Sequence, residues 1–180
     1  HVSLRLYIVI QAYIHIREIP CDDTSGIAAI EQLAHTIWHQ HYTAIIGKKQ
    51  VDYMLEHFQS ASAIAGQLQT GYRYFLLEEA QQPFGYCAMQ IHNSIGEMKL
   101  SKLYVSKHMR GKGAARRCIN FLTALGKQAG VSSIALTVNR NNSASIAAYQ
   151  KLGFTINGSQ VSDIGGGFVM DDYRMRMQIC

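Results

Sequence analysis

Proline is nearly absent from this chain, with 2 in 180 residues, and its 15 glycines follow no fixed period. Collagen-like, Pro-rich and low-complexity readings are thereby excluded. The four cysteines (Cys21, Cys87, Cys118 and Cys180) are scattered, with no CxxC or CxxxC spacing. Neither a disulfide scaffold nor a zinc knuckle is expected, and reduced thiols in a cytoplasmic protein are. No run approaches the roughly 18 uncharged apolar residues that a membrane span needs. The apolar-rich stretch Val2–Ile16 is broken by Arg5, Gln11 and His15, and no small-residue cleavage site precedes the domain, so a secretory leader is not expected. The sharpest absence is of acid. From Met98 to Ser162 there are ten Lys and Arg and not one Asp or Glu, while the twelve acids lie in residues 18–97 and 163–172.

What is present is a core. At 48% hydrophobic and 16% charged residues the chain can bury a full interior, and its length suits one ordinary domain. We read residues 12–180 as that domain and residues 1–11 as an N-terminal extension. The net charge is +5, and the acid-free central segment predicts an anionic partner, because like charges so gathered repel unless something negative sits among them.

Periodicity places the elements. Tyr13–Arg17 alternates as a strand. Asp23 or Thr24 can cap a helix with apolar positions from Ile27 to Trp38, and further helices are expected over 49–59 and 60–69. Three strands at about 72–79, 84–92 and 96–105 form a meander around Gln82-Pro83 and Asn93–Gly96. In the last of them, Met98 and Leu100 are out of phase with Leu103 and Val105. One extra residue at Ser101-Lys102, a β-bulge, would return all four to one face. A helix from Gly111 to Ala129, a strand over 132–138, a helix over 143–152 capped by Ser143, and a hairpin of 154–161 with 168–177 complete the chain. A mixed, mostly antiparallel sheet with helices packed on it, an α/β fold, is the natural solution.

The chemistry gathers where the strand ending at Val105 turns into the long helix, through Ser-Lys-His-Met-Arg110-Gly-Lys-Gly113-Ala114. The first amides of a helix lack internal partners and carry about half a positive charge, and Gly111 and Gly113 have no side chains to hold a ligand away from them. Arg110 and Lys112 add charge. The turn reads equally as a phosphate cradle or as a tight turn with solvated basic residues. It is not a P-loop, which needs Gly-x4-Gly-Lys-Ser/Thr. Nor is it a dinucleotide fingerprint, since Arg116 stands at the third glycine and no acid follows before Asp163.

A second motif decides between the two readings. "MRGKGAARR" and "NNSASIAAYQKLGF", separated by one helix and one strand, together resemble the GCN5-related N-acetyltransferases (GNAT) over about residues 97–155. The ending "IGGGFVMDDYRMRM" and "HYTAIIGKKQVDYML" are similar to a bacterial subgroup that includes polyamine acetyltransferases. The resemblance implies the GNAT acyltransferase fold and transfer of acetyl from acetyl-CoA to a primary amine, without a metal. It further implies that backbone N–H groups of Arg110, Gly111, Lys112, Gly113, Ala114 and Ala115 hold the coenzyme A pyrophosphate. His108 departs from the family's Gln or Arg at that place. Leu103, Tyr104 and Val105 match the strand edge that pairs with the pantetheine arm, Asn142 a side-chain contact to the cofactor, and Tyr149 the tyrosine beside the thioester sulfur. The family is often dimeric, so a homodimer is among the partners implied.

Each part has a chemical reason. The amine must attack as the free base, although an unperturbed primary amine has a pKa of roughly 10. A backbone N–H near Val105 would hold the oxyanion, and the Tyr149 phenol would protonate the departing thiolate. Glu97, the only acid of the central strand region, is the candidate base. On the bulged register it shares a face with Tyr104. His41, Tyr42, Tyr72 and Asp172 are candidates for substrate contact; the acids at 163–172 could draw a polyamine, and a protein or peptide N-terminus, an amino-sugar antibiotic or an amino acid fits as well.

His35, His39 and His41 do not form a zinc hydrolase motif, because Thr36 stands where Glu is required. Cys118 falls on the apolar stripe of its helix as a core thiol, so direct transfer without an acyl-enzyme is expected. Gly165–Gly167 reads as hairpin geometry. Two competitors remain: a GNAT-fold module that binds acyl-CoA without catalysis, and a nucleic-acid binder, which lacks a stacking ladder or a recognition helix.

Overall fold

The computed structural model describes residues 13–180; the expected N-terminal extension, 1–11, lies outside the described residues. Seven strands form one sheet in the order β1-β2-β3-β4-β5-β7-β6. They are β1 (Ile14–Ile19), β2 (Arg73–Glu79), β3 (Gln82–His92), β4 (Glu97–Val105), β5 (Ser133–Asn139), β6 (Thr155–Gly165) and β7 (Phe168–Gln178). Every neighbouring pair is antiparallel except β4 and β5. Among the described residues six α-helices accompany the sheet: α1 (Thr24–His41), α2 (Thr43–Ile46), α3 (Lys48–Phe58), α4 (Ala61–Gln69), α5 (Ala114–Gln128) and α6 (Ser143–Leu152). Among the described residues no helix is long and apolar enough to cross a membrane.

The sheet divides two apolar cores. On one face Met98, Leu100, Cys118, Leu122, Ile134 and Met175 are buried under α5, with Tyr149 and Leu152 of α6 packed against them. On the other, Ile30, Trp38, Val51, Ile64, Tyr74 and Tyr86 join α1, α3 and α4 to the sheet. Alternating side chains of the central strands serve both, which is why β2 and β3 are buried nearly throughout.

The expected bulge is present. Ala88 of β3 faces Lys102 of β4 while the next residue, Met89, faces Leu100, so Ser101 has no opposite number. Leu103 and Val105 thereby return to the face of Met98 and Leu100, and Tyr104 turns to the face of α1.

β4 and β5 pair over three residues only, Glu97–Lys99 against Ser133–Ala135. Beyond that point β4 runs on to Val105 beside β3 and β5 to Asn139 beside β7 without pairing with each other, and a wedge opens between them.

Several elements differ from those expected: β3 begins at Gln82, so its turn with β2 falls at Ala80-Gln81 rather than Gln82-Pro83, and β6 runs on to Gly165 instead of ending at 161. The four-residue α2 was not anticipated, because Thr43–Ile46 is too short to show a period. α5 begins at Ala114 rather than Gly111, since Gly111 and Gly113 take φ of 74° and 84° and cannot belong to a helix. The cap of α6 is Asn142, whose side-chain oxygen accepts from the Ser145 amide, instead of Ser143. Asp23 caps α1, accepting from the Gly26 amide at 2.8 Å.

The β6–β7 turn lies against α3. Tyr53 donates its hydroxyl to the Ile164 carbonyl at 2.8 Å, and Gln50 donates to the Val169 carbonyl at 2.9 Å. A Cβ at Gly165 would stand 2.3 Å from the Tyr53 oxygen, so the glycines here serve close approach as well as positive φ. This contact brings Met170 of β7 to the helical side of the wedge.

Candidate active site

The wedge is the middle of a cavity of about 750 Å³. One end is walled by the turn that precedes α5, and the other by α1, α3 and α4.

At the first end the backbone is short of acceptors. Among the described residues the N–H groups of Gly111 to Arg116 meet no backbone carbonyl, and the first bond closing the helix runs from Arg117 N–H to Gly113 C=O at 3.0 Å. No side chain caps this helix start. A Cβ on Gly111 or Gly113 would meet no protein atom within 4 Å, so both glycines border open space. Arg110, Arg116 and Lys151 add positive charge to the lining. Unpaired donors, a helix N-terminus, open space and cations together fit an anionic phosphate group.

The structure brings Leu103, Tyr104, Val105, Arg110, Gly111, Gly113, Ala114, Ala115 and Tyr149 to this one cavity. Tyr149 packs its ring on Phe154 at 5.6 Å. Burial first, and the neighbouring Tyr42 phenol second, push its hydroxyl well above the ordinary tyrosine range, so it is protonated at neutral pH. Lys112 does not line the cavity; its ammonium lies 4.0 Å from the Met109 sulfur.

Asn142 and Glu97 are placed elsewhere. Asn142 is 1% exposed, and besides capping α6 its amide donates to the Tyr42 phenol at 3.3 Å while its oxygen meets His41 Nε2 at 3.1 Å. The side chain that the sequence resemblance assigns to the cofactor is thus engaged in joining α6 to the end of α1. Glu97 opens β4, at the far end of the strand from Val105, and its carboxylate faces Arg176 at 3.7 Å. It does not line the cavity.

His41, Tyr42 and Tyr72 do line it. Trp38 stacks on Tyr42 at 4.5 Å, and both contact the ring of Tyr104. Desolvation pushes the Tyr42 phenol up to about 12. Asp172, on β7, is 4% exposed, and its Oδ1 is buried without a hydrogen-bond partner. It lies close enough to influence Tyr42, and burial raises its pKa to about 6.

Lys102 escaped the sequence reading as a site residue. The bulge turns it to the helical face, where it is 7% exposed and lines the cavity. Its ammonium donates to the Phe58 carbonyl, to Gln67 Oε1 at 3.0 Å and to the Tyr74 phenol at 2.6 Å. Burial lowers its pKa to about 7. The available signal was the phase slip itself: if Leu103 and Val105 return to one face, Lys102 must go to the other. Among the described residues no group of three His, Cys, Asp or Glu side chains is disposed to hold a metal ion.

A parallel strand pair thus splays after three residues, with a donor-lined turn at the mouth of the gap. The chain belongs to the acetyltransferase (GNAT) family, whose profile matches residues 29–154. An uncharacterized N-acetyltransferase of Mycobacterium tuberculosis is 35% identical over 81 residues, which are 45% of this chain and 51% of the relative. The match thus spans about half the length of that curated relative. The PaiA N-acetyltransferase of Thermoplasma acidophilum, solved in complex with coenzyme A, shares the fold with a TM-score of 0.73 at 19% identity, over 92% of this chain and 99% of that one. A probable acetyltransferase from Staphylococcus epidermidis does so with a TM-score of 0.74 at 15% identity, over 92% and 99%.

Proposed function

We propose that this chain transfers acetyl from acetyl-CoA to the primary amine of an acceptor by direct attack. The observation that carries this reading is the run of unpaired amides at Gly111–Arg116, opening into the cavity that holds Tyr149 and ends among α1, α3 and α4. Bound acetyl-CoA would supply the activated acyl group. The turn amides, with Arg110 and Arg116 beside them, would hold its diphosphate, and the unpaired edge of β4 at Leu103–Val105 would align its arm.

The chain's own groups then divide the proton work. The amine must lose a proton to attack, and Asp172, which is off the cavity lining beside Tyr42, is the group best suited to take it through the Tyr42 hydroxyl. Its unpartnered oxygen and raised pKa match a base working near neutral pH better than the ion-paired Glu97. Tyr149, held protonated by burial, would give its proton to the departing sulfur. The remaining rate would come from holding amine and thioester together in a dry cleft.

Release of free CoA from acetyl-CoA in the presence of an amine tests this reading. Release that depends on the amine and yields the N-acetyl product supports it. Binding of acetyl-CoA with no release against any amine would favour the acyl-CoA-binding module instead.

A further inference from the structure

The acceptor end of the cavity has an apolar wall and one buried charge. Ile37, Trp38, Met54, Phe58, Tyr72 and Met170 form the wall. The charge is Lys102. Its three protons are satisfied, yet every acceptor it meets is neutral: a backbone carbonyl, an amide oxygen and a phenol. No Asp or Glu lines the cavity anywhere along its length. Asp163 accepts from the Gly165 amide of its own turn, and Asp171 pairs with Arg140, so these two acids of the hairpin are engaged outside it; Asp172, the proposed base, is not on the lining and acts on the cavity through Tyr42. Beside Lys102, the Ser101 hydroxyl is buried on the lining with no hydrogen-bond partner.

Buried charges are ordinarily matched by a counter-charge. Here the hydrogen bonds are complete and the counter-charge is missing. A polyamine entering this chamber would bring further positive charge against Lys102 and find no carboxylate on the lining. A molecule with its own carboxylate would supply the missing charge and an acceptor for Ser101.

Resting on the acetyl-transfer reading above, we infer that the acceptor is an amine bearing a carboxylate on an apolar body, of the class of a hydrophobic α-amino acid. Lys102, turned inward by the bulge at Ser101, and the acid-free lining select it. The lowered proton affinity of Lys102 agrees with this, since burial without a counter-charge disfavours the ammonium and an incoming carboxylate would favour it.

Matched acceptors that differ only in the carboxylate test the inference: phenylalanine against phenethylamine and methionine against 3-(methylthio)propylamine, with spermidine as the polycation. CoA release is followed with the whole chain. At least a tenfold higher kcat/KM for the amino acid of each pair is expected, with spermidine slower than both. Lys102→Gln should bring the ratio within each pair toward one, which loss of packing alone would not do, since that would slow both partners alike. If that variant does not fold, the wild-type ratios decide. Phenethylamine or spermidine turned over as well as the amino acids would overturn the acceptor class and leave acetyl transfer standing. CoA release with none of the five would overturn the acceptor class as well, and release with no other amine either would remove the acetyl-transfer reading beneath it.

Discussion

The side-chain amide of Asn142 donates to the phenol oxygen of Tyr42 across 3.3 Å, joining the start of α6 to the end of α1. The same side chain meets His41 and caps its own helix, so one buried residue holds three groups in place. Asn142→Ala removes the cap and leaves the Tyr42 and His41 contacts unmet. A loss of about 1–3 kcal/mol in urea unfolding is expected. The change in acetyl-CoA affinity should be smaller than this, which an equal loss in a binding titration would contradict.

Gly113 stands at φ 84° beside open space. Gly113→Ala places a Cβ in front of the unpaired amides and strains the backbone by about 1–2 kcal/mol. Acetyl-CoA affinity should fall about tenfold or more, read by calorimetry, while the apo protein stays folded.

Tyr149→Phe keeps the ring that packs on Phe154 and removes the proton. We expect kcat to fall about 10²-fold with acetyl-CoA affinity nearly unchanged. Unchanged turnover would mean that another acid, or water, protonates the sulfur.

Two buried groups give opposite pH signatures. Asp172 holds its proton more tightly in the folded chain, with a pKa of about 6 against the ordinary 3.8. Its contribution to stability is therefore complete below about pH 4 and declines as pH rises through 6. Lys102 holds its proton less tightly when folded, about 7 against 10.5, so its contribution improves as pH rises from 7 toward 10. In melting curves across pH, Asp172→Asn should remove the first slope and Lys102→Met the second. If Asp172 is the base, kcat/KM for the amine also falls as pH drops through about 6, and Asp172→Asn loses that limb.

Much of this was legible in the sequence because it depends on local rules. The out-of-phase pairs Met98/Leu100 and Leu103/Val105 disclosed the bulge, since side chains on a strand must alternate. The two glycines before Ala114 disclosed the turn, because only glycine adopts its angles without strain. Neighbours across the fold were not legible. Nothing local says that Asn142 faces Tyr42, that Glu97 lies at the strand end away from the cavity, or that Lys102 points between α3, α4 and β2. Those facts depend on where β4 and β5 part and on which helices cover the sheet, and the hydrophobic period of a single strand does not carry that information.

The proposed grip on the cofactor is the run of unpaired amides at Gly111–Arg116. Hydrogen exchange of the backbone amides, measured with and without acetyl-CoA, reads those groups directly. Slowed exchange concentrated at Gly111–Arg116 and along Leu103–Val105 is expected. Saturating acetyl-CoA that leaves those amides exchanging as before, or protects a different face of the sheet, would contradict that grip.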